Sequence, residues 1–123
     1  MELYVSDLRR SSEFWGWILG TLGYKPFQEW EYGRSWILDG FYVVLAQVGP
    51  EHGQHAYDRR RVGLNHIAFA GSRKQVDEIT NSLKDKGETV LYEDRHPFAG
   101  GPDHYAVYFQ DPDGIKIEIV AAT

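Results

Sequence analysis

A single histidine stands in a stretch that otherwise has the composition of a buried strand. The stretch GLNHIAFA covers residues 63–70, and its histidine is His66. Near the end of the chain, IKIEIV places Glu118 among β-branched residues. Because side chains alternate along a strand, the three isoleucines share one face and Glu118 lies on the other. Burying a glutamate there is costly unless a cation compensates it, and a metal shared with His66 would do so.

Both residues also have plain structural explanations. His66 can be a core histidine that is hydrogen-bonded to a neighbour, and Glu118 can face solvent. A metal site needs more than two protein ligands to be tight, so a third donor is required. Gln47, His104 at the edge of HYAVYF, a water molecule and a group from a second copy of the chain are the candidates.

Two further polar stretches allow a functional and a structural interpretation. His96 and His104 flank PFAGGPD, residues 97–103, which can cover a site as a substrate-binding loop or form an exposed hairpin loop. The run Arg59–Arg61 can receive an anionic substrate or can be a solvated charged segment. His52 and His55 have no periodic context and are expected in a surface loop.

Aromatic residues are abundant, with 4 Trp, 8 Tyr and 6 Phe in 123 residues. Helical spacing explains one group as core between a helix and a sheet: Trp15, Trp17 and Ile18. A second group lies in extended segments and is better suited to cavity walls: Trp30, Trp36 and Tyr42. Trp36 and Tyr42 are therefore expected to contact a substrate, together with His104 and Gln47.

The first part of the chain predicts a strand, a helix and three strands. ELYVS alternates, and Asp7 can cap a helix over LRRSSEFWGWILGTL that Gly23 ends. The extended pieces KPFQEWEY, SWILD and FYVVLAQV follow, and Asp39-Gly40 is a hairpin signal between the last two.

The same order then repeats after a loop without periodicity. LNHIAFA predicts a strand, and SRKQVDEITNSLKDKG predicts a helix with a Ser72/Gln75 capping box. TVLYED, YAVYF and IKIEIV complete the unit, with a DPDG turn before the last strand. We therefore predict one α+β domain over residues 1–123, with module 1 at about 1–48, a linker at 49–62 and module 2 at about 63–123. The two tandem βαβββ modules would form an incompletely closed eight-stranded mixed sheet around a cleft, with the helices outside.

The composition excludes several classes of protein. Asp and Glu outnumber Lys and Arg by 18 to 13, so there is no basic surface for nucleic acid. Without cysteine, any metal must be held by nitrogen and oxygen. The longest apolar run, FYVVLA, is far too short to span a membrane, and the first residues do not resemble a signal peptide. The expected location is the cytoplasm, with no membrane or nucleic-acid partner.

The repeated βαβββ order, the opening ELYVSDL, GLNHIAF and the closing DPDGIKIEIV resemble the vicinal oxygen chelate superfamily. This family includes glyoxalase I, extradiol dioxygenases, fosfomycin-resistance transferases and bleomycin-binding proteins. The resemblance covers nearly the whole chain and implies paired modules with a divalent metal held by their first and last strands. It matches the family's second-module histidine to His66 and its final-strand carboxylate to Glu118.

The first module departs from the family pattern. The family's first-module histidine falls on the residue before Met1, and the carboxylate of glyoxalase I falls at Val44 or Leu45, where no acid stands. A four-ligand glyoxalase site is therefore not expected. A histidine, histidine and glutamate set fits if a histidine precedes Met1.

The resemblance implies a metal-dependent enzyme that binds a small oxygen-bearing substrate at a divalent ion, which would be Zn, Ni, Mn or Fe. Glu118 would be a catalytic residue as well as a metal ligand with His66, and the chemistry would be that of a lyase, isomerase, transferase or dioxygenase. The alternative is a metal-free protein of the bleomycin-resistance type that sequesters a small molecule in an aromatic cleft. A homodimer is expected, since relatives complete their clefts across a twofold axis. The motifs do not specify the substrate.

Overall fold

The computed structural model describes residues 1–122 and has an α+β architecture. These residues form two compact units, Met1–Tyr57 (unit 1) and the part from Asp58 onward (unit 2). Each unit has one helix and one mixed sheet. The strands are β1 (Glu2–Val5), β2 (Lys25–Trp30), β3 (Gly33–Leu38), β4 (Phe41–Gln47), β5 (His66–Gly71), β6 (Ala106–Gln110) and β7 (Lys116–Ala121). The helices are α1 (Leu8–Thr21) and α2 (Arg73–Asp85).

Unit 1 contains a four-stranded sheet in the order β1-β4-β3-β2. Strand β1 runs parallel to β4, and the other neighbours are antiparallel. The Asp7 side chain caps α1 by accepting a hydrogen bond from Arg10 N, as the sequence predicts. Of the group predicted as core, Trp15 and Ile18 are buried against this sheet together with Leu19, whereas Trp17 is only partly buried.

The hairpin between β3 and β4 is confirmed at the predicted dipeptide. Asp39 and Gly40 both have positive φ, 50° and 84°. Two successive residues in this region give a turn whose twist suits a two-residue hairpin. Trp36 and Val43 face each other across the hairpin.

Unit 2 contains a three-stranded sheet in the order β5-β7-β6. Strand β5 is parallel to β7, and β6 is antiparallel to it. Both hydrogen bonds of the predicted Ser72/Gln75 capping box are present at the start of α2. The apolar face of α2 is buried against β6 and β7: Val76, Ile79 and Leu83.

The eighth strand predicted from TVLYED does not form in the described residues. Only Leu91 pairs with the sheet, through an isolated bridge to Tyr108. Tyr92 then adopts a left-handed conformation with φ of 55°, and Glu93–Arg95 forms a 3₁₀ turn. A left-handed residue cannot continue a strand, so the alternating apolar pattern ends in one bridge.

The turn before β7 is built by the predicted DPDG segment. Asp111 Oδ1 accepts hydrogen bonds from Asp113 N and Ile115 N, at 2.9 and 2.8 Å. Gly114 has a φ of 85°, a conformation that suits glycine. This turn fixes where β7 begins and hence which of its side chains face α2. No helix within residues 1–122 is long and apolar enough to cross a membrane.

Candidate functional site

The unit 2 sheet has one apolar and one polar face. Ile117 and Ile119 of β7 are fully buried on the α2 side, opposite Phe109 and Val107 of β6. The alternate positions of β7 carry Lys116 and Glu118. The pattern of IKIEIV therefore places both charged side chains on the face away from the helix.

Strand register brings three more side chains to this polar face. His66 is the cross-strand partner of Lys116, and Tyr108 is the partner of Glu118. His104 precedes β6, and its backbone N–H donates to Gly101 O. The polar face thus collects residues from all three strands and from the segment before β6.

The Glu118 carboxylate is the centre of this group. Its Oε2 lies 3.1 Å from Nε2 of His66, and its Oε1 contacts Nε2 of His104. We call His66, His104 and Glu118 the carboxylate cluster. The Glu118 side chain is 6% exposed, whereas the two histidines are 33% and 39% exposed. A buried acid is therefore compensated by two imidazoles that solvent and small molecules can reach.

Asn65 fixes the role of the His66 ring. Asn65 Oδ1 lies 2.8 Å from His66 Nδ1. Because an amide oxygen only accepts hydrogen bonds, Nδ1 carries the hydrogen in this contact. In a neutral ring Nε2 then has a lone pair, and it faces a carboxylate oxygen that also only accepts. A cation, either a proton or a metal ion, is needed between these two atoms.

Tyr108 completes the polar face. Its ring centroid lies 6.2 Å from that of His66, in an edge orientation. Burial, followed by the charge of Glu118 and a hydrogen bond to it, raises the pKa of Tyr108 to about 12. The phenol is therefore neutral near pH 7 and donates hydrogen bonds. Sequence reasoning missed Tyr108, although the alternation of YAVYF opposite Glu118 was a usable signal.

The glycine-rich loop touches the carboxylate cluster. A Cβ atom on Gly100 would lie 2.5 Å from His104 Cδ2 and 2.9 Å from the Tyr108 hydroxyl oxygen. The backbone at Gly100 therefore lies directly against two side chains of the polar face. His96, at the other end of this loop, has its pKa lowered mainly by burial, and no contact between it and Glu118 is seen in the described residues.

Gln47, a predicted third donor, has a structural role in unit 1. Its Oε1 accepts from Leu8 N at 2.9 Å, and its Nε2 donates to Ser6 O at 2.8 Å. These bonds tie the end of β4 to the start of α1. Its amide groups are thus used in holding the unit together.

Trp36 and Tyr42, the predicted substrate contacts of unit 1, have different environments. Trp36 is 7% exposed, and its ring lies 3.4 Å from the Cβ position of Gly16 in α1, so much of it is core. It also lines an open hollow of about 310 Å³ with Phe27 and Ser35. Tyr42 is half exposed and lies beside Phe27, at a ring distance of 6.0 Å.

The carboxylate cluster has a suitable donor set for a divalent ion. Two imidazole nitrogens and a carboxylate suit zinc, manganese, nickel or iron. Two ligands that each lie about 2.0 to 2.2 Å from one ion are about 2.8 to 3.6 Å apart at angles between a right angle and the tetrahedral angle. The 3.1 Å between His66 Nε2 and Glu118 Oε2 falls in that range.

The cluster is not a preformed metal site. Within residues 1–122, no group of three or more histidine, cysteine, aspartate or glutamate side chains is arranged to hold a metal ion. The two histidines contact the carboxylate directly instead of surrounding an open position. His66 and Glu118 fit a shared ion as they stand, and His104 must turn outward to join them.

Comparison with known proteins identifies the family. Residues 1–109 match the sequence profile of the Glyoxalase/Bleomycin resistance protein/Dioxygenase superfamily. The chain belongs to this superfamily. The matched range includes His66 and His104, and Glu118 lies beyond its end.

Individual relatives agree with this assignment. The chain is similar to YqjT of Bacillus subtilis (strain 168), whose function is not characterised, with 57% identity over 98% of this chain and 95% of YqjT. It is 25% identical to the glutathione transferase FosA of Serratia marcescens, over 97% of this chain and 76% of FosA. A crystal structure from Bacillus halodurans, provisionally named a glyoxalase, superimposes with a TM-score of 0.95 and 49% identity over 98% of this chain and 92% of that one.

Proposed function

We propose that the protein is a metal-dependent enzyme that binds a small oxygen-bearing substrate at a divalent ion held by His66 and Glu118. The contact between His66 Nε2 and Glu118 Oε2, 3.1 Å long, carries the proposal. Asn65 directs one hydrogen of the His66 ring away from Glu118, so either a proton or, as we propose, a metal ion lies between these atoms. The resemblance to FosA, a transferase, supports enzymatic chemistry over passive binding.

His104 is the proposed third ligand. It contacts the second oxygen of the same carboxylate, and its side chain is 39% exposed. Gln47 is a poor candidate, because both ends of its amide hold backbone groups of unit 1.

The bound ion would act as a Lewis acid that stabilises negative charge on a substrate oxygen. Glu118 supplies the negative charge that holds the cation, and it is the proposed catalytic carboxylate for moving a proton to or from the substrate. The neutral Tyr108 hydroxyl can donate a hydrogen bond to a substrate oxygen bound beside Glu118. We favour the metal-dependent enzyme over the metal-free binding protein, because a buried acid faced by two histidines is a donor set that a metal-free aromatic cleft does not require.

Metal binding tests the proposal directly. We expect Mn²⁺, Zn²⁺, Ni²⁺ or Fe²⁺ to raise the melting temperature in proportion to the logarithm of concentration, as for any ligand of the folded state. Glu118→Gln and His66→Ala should weaken the binding by at least about 10-fold, the scale of loss that even outer-shell changes produce. Circular dichroism should show the fold retained.

Matched control variants distinguish metal binding at this site from nonspecific binding of metal ions to surface side chains. Glu78→Gln removes an exposed carboxylate that pairs with Lys74, and His52→Ala removes a histidine whose side chain is 77% exposed. Neither should alter metal binding. Equal stabilisation by metal in Glu118→Gln and in the unchanged protein would refute the proposal.

A further inference from the structure

A second polar group lies beside the carboxylate cluster, and it carries the opposite charge. Lys116 is only 8% exposed, and its Nζ donates a hydrogen bond of 2.7 Å to the Tyr92 hydroxyl. The same Nζ lies 4.8 Å from the Tyr92 ring centroid and 5.2 Å from that of Tyr108. A buried ammonium group is thus surrounded by two aromatic rings and one phenol oxygen.

Two arginines also converge on Tyr92. Arg59 is half-buried, and its positive charge is one of the causes that lower the pKa of Tyr92. The Arg95 guanidinium lies 5.1 Å from the centre of the Tyr92 ring. We call Lys116, Arg59 and Arg95 the cationic cluster. The hydrogen bond from Lys116 is the largest cause that lowers the pKa of Tyr92, and the charges of Lys116 and Arg59 add to it.

No acid is paired directly with the cationic cluster among the described residues, although Glu118 lies on the same face of β7 as Lys116. Within residues 1–122, no carboxylate forms an ion pair with any of its three members. This is unusual in a chain whose net charge is −5. Burying a cation without a counter-charge is costly, so such a group is a natural place for an anion to bind.

Tyr92 is held in an unfavourable conformation at this point. Its φ of 55° is in the left-handed region, which a bulky residue seldom adopts. Residues kept in such conformations concentrate at binding and catalytic sites. Because the Tyr92 oxygen accepts from Lys116, its own hydrogen is directed elsewhere and can be donated to a bound anion.

We propose that Lys116, Arg59 and Tyr92 form an oxyanion subsite that binds a carboxylate, phosphate or phosphonate group of the substrate. The Tyr108 ring connects this subsite to the carboxylate cluster, since it contacts Tyr92 at 5.5 Å and His66 at 6.2 Å. The subsite would hold the anionic end of a small molecule whose reacting oxygens lie at Glu118. The placement of the reacting oxygens at Glu118 rests on the proposed function. Binding of an anion by the subsite does not depend on a metal.

Calorimetric titration of the full-length protein with inorganic phosphate and with acetate, in the presence of EDTA, tests the subsite. Binding of phosphate with little binding of acetate indicates a phosphate or phosphonate group, and the reverse indicates a carboxylate. Either result supports the subsite. Absence of binding of both anions at millimolar concentration overturns it.

Neighbouring arginines provide a matched pair of variants. Arg59→Gln removes a member of the cationic cluster and should weaken anion binding at least about 10-fold, as expected for one charge-assisted hydrogen bond. Arg60→Gln removes an exposed arginine that is already paired with Asp58 at 2.9 and 3.0 Å, and it should leave binding unchanged. Equal losses in both variants would mean nonspecific attraction and would overturn the subsite.

Two further variants distinguish this proposal from the metal proposal. Tyr92→Phe keeps the ring and removes the hydroxyl, so it should weaken anion binding and leave metal binding unchanged. Glu118→Gln should do the reverse. If Tyr92→Phe leaves anion binding unchanged, the anion subsite is wrong, and if Glu118→Gln leaves metal binding unchanged, the metal proposal is wrong.

Discussion

In each unit the strand before the helix pairs in parallel with the last strand, but the two sheets differ on the faces that point away from the helices. In unit 1 this face of β4 carries Tyr42, Val44 and Ala46, with no acid among them. In unit 2 the corresponding face of β7 carries Lys116 and Glu118. On the helix-facing side, Val43 and Leu45 of β4 and Ile117 and Ile119 of β7 are buried and apolar. The duplicated architecture therefore supplies the scaffold twice, whereas the acid, the facing histidines and the buried lysine occur in unit 2.

Placing an acid on the unit 1 face tests this comparison, and among our predictions it should have the largest effect on the free energy of unfolding. Val44 is 7% exposed, and its cross-strand neighbour on β1 is Glu2. Val44→Glu would bury a carboxylate next to another acid, on a sheet whose strands contain no histidine. We expect a loss of about 2 to 5 kcal/mol in the free energy of unfolding, measured by urea denaturation.

The reciprocal variant Glu118→Val makes the unit 2 face resemble that of unit 1. Its cost should be smaller than that of Val44→Glu, because the two histidines left behind are 33% and 39% exposed and can be solvated. If Val44→Glu is as stable as the unchanged protein, the two faces are not as different as the structure indicates.

Alkaline titration compares the pKa values of tyrosines in the two units. The effect on stability is expected to be smaller than that of the substitutions above. Tyr108 has a pKa of about 12, raised by burial and by Glu118, and Tyr24 of unit 1 has a pKa raised by burial and by Asp39. Since the folded pKa of Tyr108 exceeds its unfolded value, its contribution to stability is complete below pH about 10 and is lost as the pH rises toward 12.

The order in which the tyrosines ionise can be measured by the ultraviolet absorbance of the phenolate. Tyr108→Phe should remove the last ionisation step, near pH 12. Tyr92→Phe should remove an early step, because Lys116 lowers the pKa of Tyr92. Loss of an early step in Tyr108→Phe would contradict the assignment of Tyr108 as a neutral donor beside Glu118.

Local signals explain why much of the scaffold could be predicted. The Asp7 cap, the Ser72/Gln75 capping box and the Asp39-Gly40 turn each depend on residues close in sequence. The strand predicted from TVLYED failed because a single left-handed residue, Tyr92, interrupts it. The alternating apolar pattern of that segment gives no indication that its tyrosine has a positive φ.

The candidate site could be predicted only in part, because some of its contacts join residues that are far apart in sequence. His66 and Glu118 stand out because a polar residue in a buried strand breaks an otherwise apolar pattern. Lys116 was placed on the face of Glu118 by alternation, but its partner Tyr92 was not predicted. Contacts among Arg59, Tyr92 and Lys116 join segments far apart in sequence, and only the folded chain brings them together. That a third side chain binds the metal is still a prediction, and so is the homodimer.

The helices give the smallest expected difference between the units. Helix α1 contains Gly16 and Gly20, whereas α2 contains no glycine. A Cβ on Gly20 would meet nothing within 4 Å, and the residue is exposed, so alanine fits without strain. Gly20→Ala should raise the free energy of unfolding by about 0.5 kcal/mol, less than the full helix-interior value because Gly20 lies in the last turn. Gly16→Ala is the matched variant, since its Cβ would contact the Trp36 ring at 3.4 Å and add packing to the same backbone effect. Urea denaturation that shows Gly20→Ala to be destabilising would mean that the end of α1 needs the freedom of glycine, and the two helices would then differ in more than composition.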